Sequence, residues 1–216
     1  SKRVKHKNLL ALSSGANINF QKLGFIVERS ELGENREKIL SIKIPEKPGS
    51  FLKLAKIFGK LPVTEFNYRK SDDDDAYVLV GIRTSSEESY KKLKTKLRKL
   101  KYKFSDYTNN EISNDHLRHM VGGRGNSAMK SKNIERLFNG EFPEKPGALL
   151  NFLKKFGTKW NISLFHYRNI GSAYGNILIG IEDPNTNKEL LIKHLEKCDT
   201  PFTEESNNKA YIDFLR

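Results

Sequence analysis

The chain writes one phrase twice: IPEKPGSFLKLAKIFGKLPVTEFNYRKSD from residue 44 and FPEKPGALLNFLKKFGTKWNISLFHYRNIG from residue 142. Pro45, Glu46, Lys47, Pro48 and Gly49 match Pro143, Glu144, Lys145, Pro146 and Gly147 at an offset of 98. Beyond the first helix the offset becomes 99: Phe66, Tyr68 and Arg69 match Phe165, Tyr167 and Arg168, and Gly81-Ile82 match Gly180-Ile181. One residue inserted between Gly157 and Phe165, with both flanks kept, is what duplication followed by drift leaves behind. A length of 216 residues allows one large domain or two small ones; the repeat selects two.

Each copy predicts the order β-α-β-β-α-β. The opening strands, KILSIKI and IERLFNGEF, stop at a proline, which cannot donate to a central ladder. Phe51, Leu54, Ala55 and Phe58 then stand at i, i+3, i+4 and i+7, and Leu149, Phe152, Leu153 and Phe156 repeat that helical spacing. Gly59 and Gly157 follow where a C-terminal cap would sit. VTEFNYR and AYVLVGI, like NISLFHYR and NILIGI, flank polar turns and predict antiparallel hairpins. Second helices are expected over 86–101 and 187–198, with short last strands near 102–107 and 200–204. The fold class is therefore α+β, with two tandem ferredoxin-like domains, each two helices on an antiparallel sheet.

Thirty-seven per cent hydrophobic and ten per cent aromatic residues are too many for a disordered chain, while no apolar run reaches the roughly 20 residues of a membrane span. A soluble globular protein without a membrane partner is expected. The lone Cys198 fits a reducing compartment and reads as a core or surface thiol, and the basic start lacks the apolar length of a signal peptide. Net charge +13 raises nucleic acid as a partner. However, the densest run, KKLKTKLRKLKYK, carries Leu93, Leu97 and Leu100 at helical spacing, which predicts a helix with leucines inward and lysines solvated.

Strand alternation puts Phe66 and Tyr68 on one face of EFNYR and Glu65, Asn67 and Arg69 on the other. LFHYR likewise sets Phe165 and Tyr167 against His166 and Arg168. One face is expected to meet helices and the other to present polar groups; spacing alone makes Tyr68 and Tyr167 core-edge residues. Between the copies NNEISNDHLRHMVGGRG predicts a short helix capped by Asn114 or Ser113 and ended at Gly122-Gly123. His116 and His119 on it lack a third ligand, so no metal is expected.

The segments LSSGANINF, VERSELGE, IPEKPGSFLK, VTEFNYR, HLRHMVGGR, EFPEKPGALLNFL, WNISLFHYR and ESNNKAYIDFL resemble, in order, the C-terminal regulatory region of biosynthetic threonine deaminase (threonine ammonia-lyase). That resemblance implies a pyridoxal-phosphate catalytic domain in the same polypeptide, followed by two ACT-like regulatory domains, in a tetramer inhibited by isoleucine and relieved by valine. It implies the division 1–34, remnant of the catalytic domain and linker; 35–110, first ACT-like domain; 111–132, connecting helix and linker; 133–216, second ACT-like domain. Ser14 would be a remnant of the cofactor site, approaching the pyridine nitrogen. The Schiff-base lysine and phosphate-binding glycine loop have no counterpart, so neither catalytic residues nor bound cofactor is expected in this chain.

The same resemblance makes Tyr68, Arg69, Arg118, Tyr167 and Arg168 the expected effector contacts for L-isoleucine and L-valine. A zwitterionic branched amino acid suits guanidinium and backbone donors for its carboxylate and an apolar pocket for its alkyl chain. A cytoplasmic location is expected, or a plastid in a plant-type host. The alternative is a basic ferredoxin-like RNA-binding module whose sheet aromatics stack bases; the aromatic signature of such modules is absent, and nucleic acid is not the expected partner.

Overall fold

A computed structural model describes residues 36–70, 75–115, 117–119, 134–143, 145–168, 174–183, 188–198 and 200–215, together with positions 26 and 30. The first copy opens with β1 (Glu37–Pro45), whose Leu40, Ile42 and Ile44 are buried and whose last residue is the proline. In α1 (Ser50–Phe58) the four residues at helical spacing are all buried, and Gly59 closes the helix at φ 63. Strands β2 (Val63–Arg69) and β3 (Asp75–Arg83) form the hairpin. Helix α2 (Glu87–Lys99) starts at Ser86, whose side chain accepts from the Ser89 N–H, with Glu87 and Glu88 in its first turn and Lys96, Arg98 and Lys99 in its last. Cap and charges all match the helix dipole.

Tyr90, Leu93 and Leu97 of α2 are buried, whereas Leu100, expected on the same face, is 51% exposed. The helix stops at Lys99 and Leu100 becomes its C-cap, so the periodicity no longer steers it inward. Strand β4 (Phe104–Asp106) completes the unit. The second copy follows the same plan with β5 (Ile134–Pro143), α4 (Ala148–Phe156), β6 (Asn161–Arg168), β7 (Tyr174–Asp183), α5 (Lys188–Glu196) and β8 (Phe202–Glu204). A further short helix in the first copy, α3 (Glu111–Asp115), precedes β5.

The two sheets join into one of eight strands, in the order β4-β1-β3-β2-β6-β7-β5-β8. The junction is the antiparallel pairing of β2 with β6: Glu65 faces Arg168, Phe66 faces Tyr167, Asn67 faces His166, Tyr68 faces Phe165 and Arg69 faces Leu164. Exchanging each residue for its mate 99 positions away returns the same pairing, so a local two-fold axis passes through Asn67 and His166. The Asn-to-His difference therefore lies between the copies and is shared by both.

Helices α1, α2, α4 and α5 cover one face of this sheet over a single core. Phe51, Phe66, Phe152 and Phe165 interlock across the axis, with ring centroids 5.3 Å apart for Phe66–Phe165 and 6.2 Å for Phe51–Phe165. Aromatic pairs at such distances and tilts add to what their buried area contributes. Cys198 is buried in the same core.

The opposite face carries α3 and a last helix, α6 (Lys209–Phe214), 98 positions later. The cap of α3 is Asn110, not Asn114 or Ser113: Asn110 Oδ1 accepts the Ser113 N–H at 2.8 Å. Its mate Asn208 caps α6 through the Ala210 N–H at 3.0 Å. The helix expected as a connector is thus repeated at the end of the second copy. His116 and Gly122-Gly123 lie outside the described residues, as does Ser14. No described helix is long and apolar enough to cross a membrane, and no group of three or more described His, Cys, Asp or Glu residues could hold a metal ion.

Gly81 and Gly180 leave space beneath these back-face helices. A Cβ on Gly180 would stand 2.8 Å from Glu135 Oε1 and 2.9 Å from Ser163 Oγ; one on Gly81 would stand 2.4 Å from Thr64 Oγ1. Gly180→Ala should therefore lower stability by about 1–3 kcal/mol, the usual cost of overpacking. Urea unfolding of the variant measures this; an unchanged midpoint would show that the carboxylate moves aside freely.

Candidate functional site

Tyr68 and Tyr167 both stand on the helix-covered face, where each repeat meets the other, and each is 3% exposed. The Tyr68 ring packs edge-on against Phe51 at 4.7 Å, and its hydroxyl donates to Glu46. Asn161 donates to Glu46 Oε1 and Glu182 Oε2, at 3.2 Å each, and Lys70 pairs with Glu182. This network takes Glu46 and Lys70 from the first copy and Asn161 and Glu182 from the second. Burial, reinforced by the neighbouring Glu46, pushes the Tyr68 phenol far above its ordinary value, so it acts only as a neutral donor. Burial also raises the Glu46 carboxyl, outweighing the hydrogen bonds from Tyr68 and Asn161.

The surroundings of Tyr167 are different. It lines a cavity of about 20 Å³ with Gly147 and Ala148 at the start of α4 and Phe58, Gly59 and Leu61 at the end of α1. The mates of Asn161, Glu182 and Lys70 at an offset of 99 are Pro62, Arg83 and Asn169. Three of the four residues that frame Tyr68 therefore change around Tyr167, while Glu46 keeps its mate in the sequence as Glu144. Pseudo-symmetry builds two seam positions with the same backbone and different chemistry. The close fit at the first is visible in Gly49, where a Cβ would come 2.7 Å from Thr158 Cγ2 of the other copy.

The arginines lie on the reverse face, as alternation along β2 and β6 requires. Arg69 forms a two-pronged pair with Glu135, its second prong at 3.0 Å, and donates to the Leu215 carbonyl at 2.6 Å. Arg118 holds Glu65 at 2.6 Å and Glu37 at 2.9 Å. Arg168 stands opposite Glu65 in the β2–β6 register, and its charge favours the Glu65 carboxylate. The five residues expected as effector contacts are thus split: two tyrosines in front of the sheet and three arginines behind it.

The face that carries these polar groups is itself buried, with Glu65 at 0% and Asn67 at 7% exposure. The cause is a pair of matched clusters that the repeat pattern did not reveal as sites. Glu37 accepts from Thr64 in the first copy, and Glu135 accepts from Ser163 in the second, with Tyr211 of α6 donating to Glu135 at 2.6 Å. Glu37 and Glu135 are mates, as are Thr64 and Ser163 and the glycines beneath them. A matched acid, a matched hydroxyl and a matched glycine in adjacent strands was the available signal.

The copies differ in electrostatic balance. Burial opposes ionisation of Glu135, but Arg69, Ser163 and Tyr211 outweigh it and hold its carboxyl below the ordinary 4.5. Burial dominates at Glu65 and raises its carboxyl despite Arg118. A depressed carboxyl stabilises the fold fully above its unfolded value and loses that contribution as the pH falls through its folded value. The stability difference between the natural chain and Glu135→Gln should therefore be constant above pH 4.5 and shrink below it; a difference that grows on acidification would contradict this sign. Arg69→Met should cost about 3 kcal/mol, since it strands a buried carboxylate, and denaturant unfolding reads that loss.

Residues 28–117 and 126–215 each match the family described as the C-terminal regulatory domain of threonine dehydratase. The chain is 43% identical over 213 residues to a Pasteurella multocida protein named L-threonine dehydratase biosynthetic IlvA, covering 98% of this chain and 41% of that one. The Escherichia coli protein of the same name is 42% identical, covering 98% of this chain and 40% of its own length. A chloroplastic threonine dehydratase 1 biosynthetic from Solanum lycopersicum is 37% identical, covering 96% and 34% respectively. The chain thus spans about two-fifths of the length of these bacterial relatives. With two matched units, one per repeat, this chain belongs to the family of C-terminal regulatory domains of threonine dehydratase.

Proposed function

We propose that this chain is the amino-acid-sensing portion of a biosynthetic threonine ammonia-lyase, which converts L-threonine to 2-oxobutanoate and ammonia on the route to isoleucine. L-Isoleucine is its inhibitor and L-valine the antagonist of that inhibition. Pyridoxal phosphate then belongs to a catalytic domain in the same polypeptide, where it would supply the electron sink for elimination. Ser14 is the position expected to approach it; no catalytic step falls to this chain. A tetramer in the cytoplasm, or in a plastid for a plant-type host, completes the reading.

The observation that carries it is the seam at Tyr167. A cavity of about 20 Å³ has room for about one water molecule, far less than a branched amino acid needs. A ligand entering beside Tyr167 must spread α1 from α4, and it then binds the spread arrangement in preference to the closed one. Such differential binding is what regulation requires, and a tenfold preference corresponds to about 1.4 kcal/mol. Tyr68, tied to Glu46 within a charged frame, offers a second position of different selectivity. In this reading the tyrosines touch effector, while Arg69, Arg118 and Arg168 hold the strands that carry them.

The RNA reading needs sheet aromatics open to solvent. Phe66, Tyr68, Phe165 and Tyr167 are all buried, which favours the amino-acid reading.

Titration calorimetry of the 216-residue chain with L-isoleucine and L-valine tests the proposal. Saturable binding of at least one is expected. Tyr167→Ala should weaken it tenfold or more while the unfolding midpoint still reports a folded chain. Absence of binding by either amino acid to the folded chain in its native oligomer would overturn it.

A further inference from the structure

We infer a second, separate ligand site in the first repeat, built for a small molecule carrying two or more phosphate groups. It is a pocket of about 360 Å³ where the end of β1, the start of α1 and the turn between α2 and β4 converge. Five lysines line it, Lys43, Lys47, Lys53, Lys101 and Lys103, and no acidic residue does. Lys47, Lys53, Lys101 and Lys103 are exposed and have no carboxylate partner among the described residues. Like charges gathered around one concavity repel one another and raise the local concentration of anions.

A second observation points the same way. Ser50, the first residue of α1, is only 4% exposed yet lines this pocket. The helix behind it has nine residues, no capping side chain and no acid in its first turn. Unsatisfied N–H groups at a helix start attract anionic oxygen. Tyr102, half-buried in the wall, gives the rest of such a ligand an aromatic surface.

The duplication supplies an internal control. The second copy writes Glu141, Asn151, Asp199 and Pro201 in the places of Lys43, Lys53, Lys101 and Lys103, and Ala148 in the place of Ser50. The fold therefore does not need this charge. Lys101 holds φ 61, the single positive φ at a non-glycine among the described residues. This left-handed residue follows the C-cap of α2, and the Tyr102 N–H beyond it donates to the Leu97 carbonyl at 3.0 Å, so the helix ending itself sets Lys101 at the pocket rim.

Inorganic triphosphate is the probe, titrated into the 216-residue chain by calorimetry, with chloride at matched ionic strength as control. One triphosphate per chain is expected. Lys53→Gln/Lys103→Gln should weaken it at least tenfold, whereas Lys91→Gln/Lys99→Gln, which removes the same charge from the exposed side of α2, should change it less than twofold. Ser50→Ala removes the hydroxyl from the pocket wall and should weaken binding threefold or more. Equal weakening by both lysine pairs would reduce the site to diffuse charge and overturn the assignment. No saturable binding would do the same, and so would triphosphate displaced only by long single-stranded RNA with many contacts per strand. L-Isoleucine binding is read separately, so failure here leaves the seam reading standing.

Discussion

The edge-to-edge pairing of β2 with β6 is the interaction on which everything else depends. It satisfies the backbone groups of two strands that would otherwise be exposed edges, and an unpaired edge invites association with other chains. It also fixes the two-fold axis at Asn67 and His166, which brings Phe51, Phe66, Phe152 and Phe165 into one aromatic cluster. Two units that could each have kept a small core share a larger one, and a larger core buries a greater fraction of its chain. The seam positions at Tyr68 and Tyr167 exist only because of this contact, since each is lined by residues of both copies.

Behind the sheet, charge does what apolar packing does in front. Arg69 reaches from the first copy to Glu135 of the second, while Arg118 binds Glu65 and Glu37 within the first. Buried pairs of this kind contribute little beyond what well-packed apolar side chains would, but breaking one strands its partner. Their role is registration. A one-residue slip of β2 against β6 would turn Arg69 into the aromatic core and Phe66 toward the carboxylates. Any movement along the seam has to keep both faces in step.

Much of the fold was legible. Helical spacing named the buried faces of α1 and α4, prolines ended β1 and β5, and the offset of 98 to 99 fixed the repeat. The helix boundary at Lys99 was not, and Leu100 consequently sits outside the core to which its spacing assigns it. Asn110 is not singled out as a cap by residue type, because Ser113 and Asn114 are equally good capping residues three and four places later. At the site, the tyrosines and arginines were identified by motif, but the motif is linear and a strand is two-faced. Adjacency in YR meant opposite sides of the sheet.

The sequence by itself determined the duplication, the element order and which side chains share a face, because periodicity is a local property of helix and strand geometry. Only the tertiary structure decided that the sheets merge, that the polar face is buried under α3 and α6, and that the two seam positions differ. Those outcomes rest on which edge finds which edge, and hydrogen-bonding groups are identical along every strand. Edge choice is therefore set by side chains far apart in the chain: Phe165 beside Phe66, Arg69 beneath Glu135. No local pattern contains that information.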